Sequence, residues 1–244
     1  MRMGHKLPEV VNFLNQNSKG RVTNQSLRIC KTNKRVSDIN KYAFSKLKGQ
    51  AITAHGVVEG VFPSSALPAD EKIALKQYCR VLLTVNKPDD GYLNGDLGEL
   101  KGFRGGKLVV KLDRGPTVDV EPHEWANNAY DPDGDSLKPK EIGKFTQFPV
   151  RLGYAITGHK SQGMTLESAV VDFSGSFNAE GLAYVVFSRV KSLDNLKLAV
   201  PLTQKDVLCS KKARDFTFEI SMQALARRQH DIDFFGLERH KMAA

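Results

Sequence analysis

Cysteine is scarce in this chain of 244 residues: Cys30, Cys79 and Cys209, an odd number with no C-x-x-C pair. That excludes a disulfide scaffold and makes zinc ribbons and redox dithiols poor readings. Three reduced thiols suit a reducing, intracellular compartment, so a cytoplasmic location is expected. The six histidines form no H-x-x-x-H or H-E-x-x-H pattern, so no metal ligands are assigned. No apolar run approaches the roughly 20 residues of a membrane helix. Residues 1–10, with His5, Lys6, Pro8 and Glu9, do not read as a secretory signal. Internal repeats and low-complexity tracts are also lacking.

Hydrophobic residues make up 41% and charged residues 26%, a globular composition. A chain of this length forms one large or two small domains and buries roughly 70–75% of its unfolded surface. Lys and Arg number 36 against 27 Asp and Glu, a net charge of +9. That surplus favours a polyanion partner, nucleic acid first and an anionic membrane second.

The hydrophobic pattern predicts a helix over 7–20 and a buried strand at Leu27, Ile29 and Cys30. Ser37 and Asp38 are expected to start a helix carrying Ile39, Tyr42, Ala43 and Leu47, closed by Gly49. An extended stretch is expected over 51–62, a helix starting near Asp70, and a strand from Val81 to Val85. From 87 to 149 Gly and Pro become dense and short β runs alternate with turn signals, which reads as an inserted antiparallel module. After it come a helical or turn element around 154–163, a strand from Ala169 to Phe173, a helix from Glu180 to Ser188 and a strand from Leu196 to Val200. Residues 211–244 read as a basic amphipathic helical tail. This alternation is the grammar of an α/β sheet.

Two constellations carry chemistry. Thr157-Gly158-His159-Lys160-Ser161-Gln162-Gly163-Met164-Thr165 gathers a cation, hydroxyls, an amide and two glycines between buried elements. Backbone N–H groups, a lysine and hydroxyls together suit phosphate oxygens, whereas an ordinary polar loop is the structural alternative. Tyr184-Val185-Val186-Phe187-Ser188-Arg189-Val190 ends an apolar helix on Arg189. An arginine there can grip a phosphate through paired hydrogen bonds, or can satisfy the last helical carbonyls.

Taken together, HKSQGMTLESAVVDF and AYVVFSRVKSLDNLKL resemble motifs V and VI of superfamily-one DNA helicases. The nearest branch is the petite-integration-frequency and RecD/Dda group, which moves 5′ to 3′. KTNKRVSDIN resembles its motif IV region, and VLLTVNKPDDGYLNGDLGEL the start of its inserted β-barrel. VVKLDRGPTVDVEPHEW resembles the later barrel strands, with Pro122 and Trp125 where such barrels rejoin the sheet, and Arg2-Met3-Gly4 the R-x-G after the first motor domain. The resemblance covers residues 1 to about 202. Gly158 stands where the family has a bulkier aliphatic residue, and Phe187 where it has a small or aliphatic one.

The resemblance implies an α/β, RecA-like motor domain of the P-loop NTPase type, with a small inserted antiparallel β-barrel. The expected division is 1–91 plus 147–210 for the motor domain, 92–146 for the barrel and 211–244 for the tail. Family members hold ATP and Mg²⁺ between two motor domains, and the first supplies G-x-x-x-x-G-K-S/T and an Asp-Glu pair. Neither feature occurs here: Gly102 to Lys107 has the wrong glycine spacing, and Asp70-Glu71 follows Pro68-Ala69. The chain is therefore expected to hold neither ATP nor Mg²⁺ alone. Its implied partners are single-stranded DNA and a P-loop motor domain in cis or in trans, with no membrane.

By position, the resemblance makes Arg189 the catalytic arginine finger. It places Lys160, Gln162 and Gly163 at the nucleotide, and Thr32, Asn33, Thr157, His159 and Ser161 on single-stranded DNA. The implied function is the C-terminal half of an ATP-dependent 5′-to-3′ DNA helicase. The alternatives are a non-catalytic single-strand-binding module and an inactive helicase fragment.

Overall fold

The computed structural model describes residues 6–20, 22–23, 26–129, 139–176 and 178–224. The Arg2-Met3-Gly4 resemblance and the tail beyond 224 lie outside them.

Four short apolar strands form a parallel sheet in the order β12-β1-β13-β14. They are β1 (Leu27–Cys30), β12 (Ala155–Thr157), β13 (Ala169–Asp172) and β14 (Leu196–Leu198). β13 and β12 are buried at every residue, as expected of strands covered on both faces. Helices α1 (Leu7–Asn17), α2 (Asn33–Lys46) and α3 (Leu182–Phe187) accompany the sheet. Val11 and Leu14 of α1 and Leu182, Ala183 and Val186 of α3 share one core with Leu27, Ile29, Ala169 and Val171.

Two expectations change here. α2 begins at Asn33 rather than near Ser37, because Thr32 is its N-cap and accepts the Arg35 N–H at 3.3 Å. The cap outweighs the Ser37-Asp38 signal, which falls within the second turn. The stretch expected as helix or turn at 154–163 opens with β12, whose three residues pair in parallel with Arg28, Ile29 and Cys30. Asn40 pins α2 to this strand, donating to Ala155 O at 3.0 Å and accepting from Ala155 N at 2.9 Å.

The remaining strands are antiparallel. β5 (Arg80–Leu83), β6 (Leu97–Arg104), β7 (Lys107–Leu112), β8 (Thr117–Val120) and β11 (Val150–Leu152) form a five-stranded sheet, ordered β11-β5-β6-β7-β8. β10 (Lys140–Gln147) lies between β3 (Val57–Gly60) and β9 (His123–Ala129). β2 (Ile52–His55) pairs with β4 (Lys72–Leu75). The helix expected from Asp70 is instead β4, where buried Ile73 and Leu75 alternate with exposed Lys72 and Ala74, a period of two. Stretch 92–146 is β-rich as expected, but among the described residues no sheet closes on itself, so no barrel is seen. Its strands divide between two open sheets, and Trp125 stacks on Phe145 within the smaller one, ring centroids 5.8 Å apart.

A second core, with Tyr92, Leu100, Leu108, Val110 and Val150, lies against the five-stranded sheet. Tyr154 joins the two sheets: its carbonyl accepts the Arg28 N–H at 3.0 Å and its hydroxyl accepts the Arg80 N–H at 3.1 Å. Residues 211–224 are helical (α4), with Phe216 and Phe218 exposed. No helix of the described residues is long and apolar enough to cross a membrane.

Candidate functional site

Because β12, β1 and β13 run parallel, their C-terminal ends open on one edge of the sheet, where α/β folds place ligands. β1 delivers Lys31, Thr32 and Asn33 there; β12 delivers the turn from Gly158 to Thr165; β13 delivers Asp172 and Ser174. Gly158 N–H donates to Cys30 O at 3.0 Å and carries the ladder one step beyond β12. A Cβ at Gly158 would stand 2.6 Å from Leu182 Cδ1 and 2.8 Å from Val186 Cγ2. The bulkier family residue is therefore replaced where α3 packs directly onto the turn.

The turn holds itself together. Ser161 is wholly buried, and its hydroxyl donates to Gly158 O at 2.7 Å. The N–H groups of Ser161, Gln162 and Met164 donate to Thr157, His159 and Ser161 carbonyls, and Lys160 N–H approaches Thr157 Oγ1 at 3.4 Å. These amides are spent within the turn, so recognition of an anion falls to side chains. Thr157 is buried as well, whereas His159, Lys160, Gln162 and Gly163 are exposed.

Asn33, Thr157 and Lys160 line one cleft of about 210 Å³. Lys72 and Arg151 line it too, with Asp70 as its acidic side chain. Although Lys160 reaches solvent, partial desolvation of its ammonium in the cleft holds it below the usual lysine value, Arg151 adds to that, and Asp70 opposes it. An ammonium disfavoured in this way gains most from an arriving anion. Lys72 and Arg151 were not singled out from the sequence; their signal was only a cation at the start of one short apolar strand and in the middle of another.

Arg189 stands on the other side of the same turn. Its N–H groups donate to Val185 O at 2.7 Å, Met164 O at 3.2 Å and Ser188 Oγ at 2.7 Å. Its carbonyl accepts the Leu166 N–H at 2.9 Å. The guanidinium therefore lies against the residue after Gly163, in the helix-capping posture named as its structural alternative. Gln162, Gly163 and Arg189 thus fall at one end of the turn, and Asn33, Thr157 and Lys160 at the other. Thr32 is occupied as a helix cap.

Two buried charge clusters, also not singled out from the sequence, fix the loops behind this edge. Lys31 donates to Asp206 at 2.6 Å, Asn178 Oδ1 at 2.8 Å and Gly175 O at 3.2 Å. Asp172 accepts from Arg35 at 3.0 Å and Arg28 at 3.3 Å, and from the Ser174 hydroxyl at 2.6 Å. Burial pushes the Asp172 carboxyl up, but hydrogen bonds from Ser174 and Arg35 outweigh it and leave it below the usual carboxylate value.

No family model matches the chain. It is 28% identical over 184 residues to the ATP-dependent DNA helicase Pif1 of Campylobacter jejuni, covering 70% of this chain and 41% of that protein. Among solved structures, Bacteroides Pif1 in complex with ADP-AlF4 superposes with a TM-score of 0.77 at 27% identity. That match covers 89% of this chain and 54% of the other. The chain is a homologue of the Pif1 helicases. Bacteroides Pif1 bound to single-stranded DNA superposes as well, with a TM-score of 0.64 at 29% identity over 89% of this chain and 51% of that one. The chain thus spans about half the length of the Pif1 helicases it matches.

Proposed function

We propose that this chain is the second, C-terminal motor half of a Pif1-like helicase, moving 5′ to 3′ on single-stranded DNA. One observation carries the reading: Asn33, Thr157 and Lys160, drawn from two separate motifs, share a cleft with Lys72 and Arg151. Asn33, Thr157 and Lys160 at the C-terminal ends of parallel strands, joined by Lys72 and Arg151 from antiparallel strands, suit a phosphate backbone, giving sequence-independent, salt-dependent binding. His159 stands exposed beside them, and the β-rich sheets would flank the strand. Ser161, wholly buried with its hydroxyl donated to Gly158 O, holds the surface in place, whereas Thr32 accepts the Arg35 N–H as a cap and its O–H remains able to donate to a phosphate.

ATP and Mg²⁺ would be held by a P-loop motor domain supplied in cis or in trans. Bound there, they supply the hydrolysis that drives translocation. From this chain Gln162, Gly163 and Arg189 would face the nucleotide, and Lys160 stands between the two ligands. Reaching a γ-phosphate requires the Arg189 guanidinium to leave Met164 O and Val185 O, so docking of the other domain must release it. The inward posture of Arg189 favours one second reading, a single-strand-binding module without catalysis.

The test is anisotropy of a labelled oligothymidylate titrated with the chain over a salt series. Replacing both Lys160 and Arg151 by Ala is expected to lower affinity and flatten the salt slope by about 0.7 for each lost phosphate contact. Absence of binding by the unaltered chain, or an unchanged slope in the variant, would overturn the reading.

A further inference from the structure

A second groove, of about 690 Å³, shares no lining residue with the cleft at Lys160 and lies between the loop after α2, the β4–β5 turn and the C-terminal part of β6. Tyr78 and Phe103 line it, 55% and 40% exposed, with Lys48, Gln50 and Ile52. No acidic side chain lines it. Lys101 Nζ stands 5.6 Å from the Tyr78 ring centroid and is itself paired with Glu99 at 2.5 Å.

The backbone supplies an independent observation. Tyr78 occupies the third position of a turn closed by the Cys79 N–H donating to Lys76 O at 3.0 Å. Its φ is +69°, the left-handed region that glycine fills at no steric cost. Together with Lys6, it is one of two non-glycine residues with positive φ among those described. A bulky aromatic in that conformation is a genuine outlier, held by its surroundings at a cost in stability. Here the N–H of Tyr78 donates to Leu100 O at 2.7 Å, and Gln77 Nε2 donates to Lys101 O at 2.8 Å, so the turn is clamped onto β6. Glycine would satisfy the same hydrogen bonds without strain. What glycine would lack is the ring, which is more than half exposed, carries Lys101 near its face and lines the groove with Phe103.

From this we infer that Tyr78 and Phe103 form a stacking platform for unpaired bases of a single-stranded nucleic acid, with Lys48 at its rim for the backbone. This rests on the single-strand-binding reading and extends it to a site outside the helicase motifs. Two aromatic faces above a cation-bearing rim are the chemistry of sequence-tolerant base stacking.

The strain makes the test decisive. In the full chain, Tyr78→Gly is expected to keep or raise the melting temperature, because it relieves the turn. Binding of a base-bearing oligonucleotide should weaken by about tenfold, while binding of an abasic oligonucleotide of equal length is unchanged. Phe103→Ala should do the same, and both variants should abolish quenching of a 2-aminopurine base placed in the oligonucleotide. Equal loss on both oligonucleotides, or no loss on either, overturns the platform. If the Lys160 and Arg151 double variant loses binding while Tyr78→Gly does not, the motif-edge reading stands and the platform falls. If the unaltered chain binds neither oligonucleotide, both fall. If Tyr78→Gly instead abolishes self-association seen by sedimentation, the groove is a contact between copies.

Discussion

In the proposed motor half Arg189 is the residue on which catalysis turns, and that role is separable from the one its hydrogen bonds show. As a helix-end arginine it holds Met164 O and Val185 O. As a finger it would act only when a nucleotide-bearing domain is docked. Arg189→Ala should then cut DNA-stimulated ATP hydrolysis of the assembled helicase by about 10³–10⁵ while leaving oligonucleotide affinity unchanged. A loss confined to stability would assign it the capping role alone. The buried carboxylates set the response to acid. Burial raises Asp206, but hydrogen bonds from Lys31 and Thr203 more than offset it, and Asp172 behaves alike with Ser174 and Arg35. Both are depressed, so each adds stability that is present above the ordinary carboxylate value and is lost as pH falls through the folded one. Equilibrium unfolding against pH should show stability falling off below about pH 4. Leu substitution of both Asp172 and Asp206 should shrink that dependence. Cys30 runs the other way, pushed up to about 12 by burial, with Asp172 adding to it. At about pH 8 its thiol should resist alkylation in the folded chain while half-buried Cys209 reacts.

At the scale of elements, caps and contacts decided what the hydrophobic pattern could not. The parallel strands were legible because LRIC and AVVD are unbroken apolar runs. β12 was missed because AIT is three residues long and is defined by its pairing to β1, a partner 125 or more residues away in sequence. β4 was read as helix because an acidic start before mixed apolar residues mimics a capped helix; only its pairing with β2 fixes the period of two. Thr32 shows the same blindness, since a motif position and a helix cap use the same side chain. Thr32→Ala should cost about 0.5–2 kcal/mol in chemical denaturation through α2. Gly158→Ala should cost about 1–3 kcal/mol, since the added methyl must displace Leu182 or Val186 where α3 meets the turn.

For the whole molecule, the sequence motifs and the sheet topology converge on one edge. Residues 32–33 and 157–160, more than 120 positions apart, end side by side because β1 and β12 are neighbours. That convergence was legible through the motif resemblance. The division of the β-rich region into open sheets was not, because short amphipathic strands separated by turns do not reveal which strand pairs with which. Lys72 and Arg151 escaped notice for a similar reason: neither belongs to a motif, and each reaches the cleft only through the antiparallel strands beside β12. The chain spans about half the length of the Pif1 helicases it matches, and its sequence contains no G-x-x-x-x-G-K-S/T motif. The most direct measurement is therefore ATP hydrolysis by a P-loop motor domain of a Pif1 helicase, with single-stranded DNA, before and after adding this chain. Hydrolysis should be negligible for the chain alone, rise on mixing, and collapse with Arg189→Ala. A chain that binds DNA yet leaves hydrolysis unchanged, or an Arg189→Ala variant that stimulates as well as the original, would contradict the assignment of this molecule as a motor half.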